Sequence, residues 1–220
     1  MKNIKISDRI REVSPEFKGL AISCRVCNSE SDTGLWEELD AEMKAFNARY
    51  QIEAINKRLP IAANRKVYKA LGKDPNRYRP SAEALCRRIV KEKSLYRINT
   101  LVDLINLVSI HTGYSIGGFD ADEIEGDTLI LGVGEAGEIF HGIGRGPLNI
   151  EGLPVYRDET GGIGTPTSDE ERTKISLDTT RVLILINGYS GENGLEAAGK
   201  YMIDLLKKYG AAQLVETMLY

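Results

Sequence analysis

The residues best suited to chemistry lie in one glycine-rich loop. The loop spans residues 159–173 and reads ETGGIGTPTSDEERT. Its glycines allow backbone N–H groups to come close to a ligand. Its hydrogen-bond donors are Thr165, Thr167, Ser168 and Arg172. These groups suit a carbonyl, a ribose or a phosphate. The alternative is a surface loop whose polar side chains only cap a turn.

Two carboxylates, Asp158 and Asp169, lie before and within this loop, and both are candidates to hold a water or an amino group. The chain has two histidines, and their spacing fits neither a metal pair nor a catalytic triad. A catalytic reading therefore depends on an activated water, one of these carboxylates and oriented donors. We expect no metal and no cofactor, because one Cys-x-x-Cys pair lacks the second ligand pair that zinc requires.

A second candidate surface is the polar side of an apolar segment, NTLVDLINLV, residues 99–108. The segment is apolar nearly all round, which predicts a buried helix. Its polar exceptions include Asp103 and Asn106, three residues apart and so on one face. These side chains either form a pocket wall or tie down neighbouring backbone. The helix is expected to end in a turn at the paired glycines Gly117 and Gly118.

Helices and strands must position these groups. Apolar residues at 3–4 spacing predict helices after Ser31–Thr33, from Pro60 to Gly72, after Ser81 (as the capping residue), over 99–108, and over Leu195–Tyr209. Strand patterns occur at Ile4–Ile6, Gly19–Val26, Thr128–Val133, Glu138–Ile143, Val155–Asp158, Lys174–Leu177, Arg181–Asn187 and Gln213–Leu219. Thr128–Val133 and Glu138–Ile143 are spaced as a hairpin, and Arg181–Asn187 is apolar enough to be a central strand. The prediction is one α+β domain with an N-terminal helical half and mixed or antiparallel sheets.

Charge is divided unevenly along the 220 residues. Residues 57–97 carry 13 Lys or Arg against three acids, and residues 98–171 carry 14 acids against two arginines. A basic block of this size is a candidate footprint for a phosphate backbone, and the alternative is a solvated helix face. Arg79, Arg87, Arg88 and Lys91 are its candidate RNA contacts. No apolar run approaches the length of a membrane span and no leader is evident, so we expect a cytoplasmic protein.

The order of these motifs resembles a known domain. Residues from about Arg79 to Ile186 resemble the tRNA-binding B3/B4 domain of the phenylalanyl-tRNA synthetase β subunit, which is its editing domain. The resemblance is carried by the SAEALCRRI helix, RINTLVDLINLVSIHTGYSIGGFD, the DTLILGVGEAGE segment, the pair Val155 and Asp158, and the glycine-rich loop. It implies a single B3/B4-like domain over residues 1–220, with residues 1–78 as an extension and 79–220 as the core.

The resemblance also implies a function. Editing domains of this family hydrolyse the ester of a wrongly attached amino acid, so this chain is expected to act in trans on the aminoacylated 3′ end of a tRNA. Asp103 and Asn106 match the family's polar helix face. Gly117 falls where the family has a signature histidine, and Gly118 where it has alanine. Two readings follow: a pocket widened for another aminoacyl group, or a module that binds tRNA or an amino acid without cleaving.

Overall fold

Helices occupy most of the first half of the chain, as the 3–4 spacing predicts. The structure is a computed structural model that describes residues 1–91 and 93–220. Its helices are α1 Asp8–Val13, α2 Thr33–Arg49, α3 Ile52–Ile55, α4 Leu59–Ala70, α5 Ser81–Val90, α6 Thr100–Thr112 and α7 Leu195–Tyr209. Within the described residues, no helix is long and apolar enough to cross a membrane.

The strands form two four-stranded sheets and a short ribbon. They are β1 Asn3–Ile6, β2 Lys18–Arg25, β3 Ile116–Asp120, β4 Thr128–Val133, β5 His141–Gly142, β6 Gly146–Pro147, β7 Pro154–Arg157, β8 Gly162–Gly164, β9 Arg181–Gly188 and β10 Gln213–Leu219. The first sheet has the order β1-β4-β7-β8 and the second β10-β2-β9-β3. Only the β1–β4 pair is parallel among the described pairs, so the predicted α+β class with mixed and antiparallel sheets is confirmed.

The second sheet is the central layer of the molecule. Along β9, Ile184 and Ile186 pack with α2, α5, α6 and α7. Leu183 and Leu185, which alternate with them along the strand, pack against β4 of the first sheet. Every residue of β9 after Arg181 is buried, because the strand is covered on both faces. The predicted central strand is confirmed. Strands from residues 1–78 pair within both sheets, so that segment is integral to the fold.

The paired glycines do not form a turn. Helix α6 ends one turn earlier, at Gly113, whose φ of 86° is a conformation that favours glycine. Gly117 and Gly118 instead lie inside β3, opposite Leu185 and Ile184 of β9. The turn expected at these glycines is therefore wrong, and they belong to an edge strand.

The predicted hairpin is also wrong. Strand β4 pairs with β7, and only His141–Gly142 of the expected partner is strand, pairing with Gly146–Pro147. Glu138 explains the difference, because its carboxylate accepts hydrogen bonds from Arg157 Nε and Nη2 at 2.7 and 2.6 Å. A side chain held this way directs residues 138–140 off the sheet.

Two further expectations differ from the structure. Lys174–Leu177 is not a strand: Lys174 forms one bridge to Phe119, and the Thr179 hydroxyl accepts from the Ser176 N–H within a turn. The segment 159–173, predicted as a loop, contains β8 and a 3₁₀ helix at Glu171–Thr173.

Candidate functional site

A cavity of about 450 Å³ opens between α6, the start of α5, β3 and the segment 165–175. Its apolar lining is aliphatic: Leu85, Ile98, Val102, Ile105, Ile116, Ile143 and Ile175. Its polar lining comprises Ser81, Asn106, Ser109, Gly118, Thr165, Ser168, Asp169 and Lys174. The cavity thus joins the predicted helix face to the predicted loop.

Asp169 is the acidic side chain of this lining. Its Oδ2 accepts a hydrogen bond from the Gly118 N–H at 3.2 Å. Strand β3 is an edge strand, so its outward N–H groups have no neighbouring strand to pair with, and this one finds a carboxylate. Burial raises the pKa of Asp169 from its ordinary 3.8 to about 7, although the hydrogen bond from Gly118 opposes the rise.

Glycines make room for this carboxyl group. A Cβ at Gly164 would lie 2.6 Å from Asp169 Oδ1, so a side chain there would displace the carboxyl group. A Cβ at Gly117 would lie 2.8 Å from Phe119 Cζ and 3.5 Å from Asp169 Oδ1. Gly117 therefore borders the carboxyl group without lining the cavity. The space that a side chain at 117 would need is filled by the Phe119 ring, so the glycine does not widen the pocket.

Thr165 holds the loop in a tight turn. Its Oγ1 accepts the N–H groups of Thr167 and Ser168 at 3.2 and 3.1 Å and donates to the Ser168 carbonyl at 3.0 Å. The Asp169 carbonyl accepts the Ile143 N–H at 3.1 Å. Because the Thr165 hydroxyl already forms hydrogen bonds within the turn, Thr165 positions Asp169 and has little remaining hydrogen-bonding capacity for a ligand. Ser168 Oγ has only a 3.3 Å contact to the Asp169 carbonyl.

Thr167 lies outside the cavity. Its hydroxyl is within 2.9 Å of the Tyr68 hydroxyl and donates to the Tyr78 carbonyl at 3.1 Å. The side chain is buried, so these bonds satisfy it. Its expected role in substrate binding is not supported by this position, and it anchors the loop to the helical half.

The two predicted polar residues of α6, Asp103 and Asn106, have different surroundings. Asn106 lines the cavity, with no hydrogen-bond partner for its amide among the described residues. Asp103 is fully buried: its Oδ2 accepts from Trp36 Nε1 at 2.7 Å and its Oδ1 from the Ile98 N–H at 3.2 Å. Asp103 thus fixes Ile98, which lines the cavity, but does not itself reach a ligand there. Of the two alternatives for these residues, a pocket wall suits Asn106 and a backbone tie suits Asp103.

Asp158 and Arg172 neutralise one another away from the cavity. Arg172 Nη2 lies 2.9 and 3.0 Å from the two oxygens of Asp158. The same carboxylate also accepts the N–H groups of Glu125, Thr160 and Gly161. A carboxylate with this many donors is a structural tie, so the geometry leaves Asp169 as the acid that faces the cavity.

The expected RNA contacts on α5 are partly occupied. Glu83 is fully buried, and three arginines converge on it: Arg65 at 2.8 Å, Arg87 at 2.8 Å and Arg79 at 3.7 Å. Arg87 is therefore committed to Glu83, and Arg79 is held beside it.

Beyond this cluster, α5 carries cations nearer the solvent. Arg88 donates from Nε to the Ser94 carbonyl at 2.7 Å and covers the exposed Tyr96 ring. Lys91 is exposed, with no ion pair among the described residues. Lys91 is thus the expected RNA contact that remains available.

Sequence reasoning missed Ser81 and the aliphatic wall. Ser81 was expected to cap α5, but Pro80 is at the cap position and no side-chain cap bond forms. The Ser81 N–H donates instead to the Pro166 carbonyl at 2.8 Å, which ties the helix start to the loop. Ile105 and Ile175 resemble any core residues in sequence, so no local signal marks them as cavity wall.

A larger groove, of about 540 Å³, lies between α7 and β10. Its charged groups, among them Glu196, Lys200 and Lys207, are exposed, and Lys200 pairs with Asp204. None of the predicted site residues lines it. The smaller cavity is the better site because it contains a carboxyl group with a perturbed pKa.

Comparison with known proteins agrees with this fold. The B3/4 domain profile matches residues 63–209, about two thirds of the chain. The chain belongs to the B3/4 domain family. A comparison with curated proteins finds no match.

Among solved structures, the chain is similar to the crystal structure of an N-terminal fragment of the phenylalanyl-tRNA synthetase beta-subunit from Pyrococcus horikoshii. The TM-score is 0.52 and the identity 14%, so the likeness shows a shared fold. The alignment covers 97% of this chain and 50% of that one, so this B3/4 protein spans half the length of the fragment.

Proposed function

We propose that this B3/4 protein hydrolyses the ester of a mischarged aminoacyl-tRNA in trans. The observation that carries the proposal is the Asp169 carboxyl group, enclosed in a cavity that is also lined by Asn106, whose amide has no hydrogen-bond partner among the described residues. The pKa of Asp169, raised to about 7 by burial, suits an acid–base catalyst near neutral pH. The B3/4 family match and the fold shared with a synthetase subunit support tRNA as the carrier of the ester.

In the proposed reaction, Asp169 in its ionised form takes a proton from a water molecule. That water attacks the carbonyl carbon of the aminoacyl ester. The negative charge that develops on the carbonyl oxygen is stabilised by the Asn106 amide and the Ser168 hydroxyl as hydrogen-bond donors. The bond to the ribose oxygen then breaks, and that oxygen takes the proton from Asp169. The products are the free amino acid and the uncharged tRNA.

A non-catalytic module that binds tRNA or an amino acid is the alternative. It is favoured by the position of the two histidines, which are exposed and lie beside Glu42 and Glu170 rather than in the cavity. Asp169 is the one carboxyl group among the described lining residues, and no imidazole is among them. If its carboxylate only holds the substrate's amino group, binding survives and hydrolysis does not occur.

The deciding experiment is deacylation of a panel of mischarged tRNAs by the wild-type chain and by Asp169→Asn. Asp178→Asn is the matched control, since Asp178 is exposed and outside the cavity. We expect at least one ester to be hydrolysed by the wild type and the control, and its rate to fall about 10²–10⁴-fold in Asp169→Asn. Unchanged ester lifetimes across the panel, together with salt-dependent tRNA binding, would leave only the binding module.

A further inference from the structure

The cavity lining has two chemically different parts. Its polar part includes Asp169, Ser168 and Asn106, and its apolar part is a wall of aliphatic side chains. Among the described lining residues there is no aromatic ring. Any selectivity of this wall acts on the substrate of the proposed function and therefore rests on that function.

The wall and the carboxyl group meet at Gly118. A Cβ at residue 118 would lie 2.5 Å from Ile105 Cδ1 and 3.1 Å from Ile175 Cδ1. Both isoleucines therefore pack onto the bare backbone of Gly118, whose N–H donates to Asp169. A ligand with its ester beside Asp169 has its side chain within reach of these methyl groups. Because both residues are branched at Cβ, the wall is stiff.

Three polar groups around the wall already have partners, whereas Asn106 and Ser168 are assigned to the ester in the proposed reaction. The Ser109 hydroxyl donates to the Tyr114 carbonyl at 2.7 Å. The Lys174 ammonium is paired with Glu171. Asp103 is bonded to Trp36 and to the Ile98 N–H. A substrate hydroxyl group packed against Ile105 and Ile175 would lose its water without gaining a partner from these three groups, which costs free energy.

We propose that the cavity selects aminoacyl esters with an aliphatic side chain and disfavours side chains that carry a hydroxyl. Valine and threonine provide the sharpest comparison, because they have nearly the same shape and differ by a methyl group against a hydroxyl. An apolar site of this type discriminates within a limited range, and we expect a roughly 10–100-fold preference for valine. Tyrosine is disfavoured for the same reason.

The test uses two measurements on the full chain. The first is calorimetric binding of non-hydrolysable 3′-valylamido- and 3′-threonylamido-adenosine, in which an amide replaces the ester. The second is deacylation of one tRNA charged chemically with valine or threonine. We expect valine to be preferred in both. Equal or tighter binding of the threonyl compound, or binding of neither compound, would overturn the inference.

Two variants at one position provide the matched comparison. Ile105→Thr and Ile105→Val have nearly the same volume, and only the first places a hydroxyl on the wall. We expect Ile105→Val to keep the preference for valine and Ile105→Thr to reduce it at least about fivefold. The same ratio in both variants would contradict a role for this wall. If Ile105→Thr does not fold, the wild-type ratio still decides the inference.

The two proposals fail in different ways. If neither ester is hydrolysed but the valyl amide binds more tightly than the threonyl amide, hydrolysis is wrong and the aliphatic selectivity stands. If esters are hydrolysed with no preference for valine, the function stands and the selectivity is wrong.

Discussion

Asp169 is distinguished from the other acids of the chain by what surrounds it. Asp103 and Asp158 accept hydrogen bonds from several donors, whereas Asp169 accepts one, from Gly118, and is enclosed by the cavity. Burial without a charged partner disfavours the ionised form, which is why its pKa rises to about 7 while the amide of Gly118 opposes the rise.

The first prediction concerns the pH dependence of hydrolysis. A carboxyl group must be ionised to accept a proton from water, so the enzymatic rate should rise with pH and level off above about 7. The rate of uncatalysed ester hydrolysis is measured in parallel and subtracted. Asp169→Asn should remove the rise. A rise that persists in this variant would assign the titration to another group.

The second prediction concerns stability. The unfolded chain loses the proton of Asp169 near 3.8, but the folded chain keeps it until about 7. Between these values the folded state binds more protons, so the free energy of unfolding falls as pH rises. Asp169→Asn removes this penalty, and its amide oxygen can still accept from Gly118.

We expect Asp169→Asn to unfold at a higher temperature than the wild type at pH 8, by about 2–4 °C for each kcal/mol gained. At pH 4 the two chains should unfold at nearly the same temperature. Thermal unfolding followed by circular dichroism at both pH values makes the comparison. A lower unfolding temperature for the variant at pH 8 would mean that the carboxylate stabilises the fold.

Sequence reasoning selected the loop and the helix that line the cavity but did not distinguish Asp169 from Asp158. Asp158 and Asp169 are the same residue type, and they differ in their partners: Asp158 pairs with Arg172, and Asp169 accepts the Gly118 N–H. Arg172 and Gly118 were each assigned to ligand binding. Asp103 is likewise removed from the cavity by Trp36, which is 67 positions away. Partners so distant in sequence leave no local pattern, so burial and pairing of individual carboxylates were beyond prediction.

At the scale of elements, α5 depends on one buried charge. Glu83 lies among Arg65, Arg79 and Arg87, and its side chain is inaccessible. The third prediction is that Glu83→Gln lowers the free energy of unfolding by about 3–5 kcal/mol, because it leaves the surrounding guanidinium groups without their counter-charge.

Arg79→Gln is the control for this prediction. Arg79 is 3.7 Å from Glu83 and its side chain is 40% exposed, so its loss should cost no more than about 1 kcal/mol. Urea denaturation of the three chains measures both differences. Equal losses in the two variants would show that Glu83 is not the centre of the cluster.

Element prediction succeeded where the pattern was local. The helix Leu195–Tyr209 and the strands Thr128–Val133 and Gln213–Leu219 occur as predicted. It failed where a side chain bonded across the fold, as Glu138 does with Arg157 to end the expected hairpin. Gly117 and Gly118 look like turn residues, yet they lie in β3 and pair with β9, and Phe119 and Ile105 occupy the space that their side chains would need.

At the scale of the whole molecule, the basic block divides into paired and available charges. Arg65 and Arg87 belong to the Glu83 cluster, whereas Lys91 and Lys93 are exposed near the end of α5. Helix α5 has 10 residues, so at about 1.5 Å per residue these lysines lie roughly 15 Å from Ser81 at the cavity. A tRNA whose 3′ end entered the cavity would bring its phosphates within reach of them.

The fourth prediction is therefore a change in the salt dependence of tRNA binding. The double variant Lys91→Ala, Lys93→Ala should lower the slope of log K against log salt by about 0.7 for each phosphate that a lysine no longer neutralises. Lys5→Ala with Lys18→Ala is the charge-matched control, because those lysines are exposed on β1 and β2 and lie outside the basic block. Binding to an uncharged tRNA separates this effect from hydrolysis. Equal slopes for the two double variants would indicate that net charge alone, rather than the end of α5, determines the affinity.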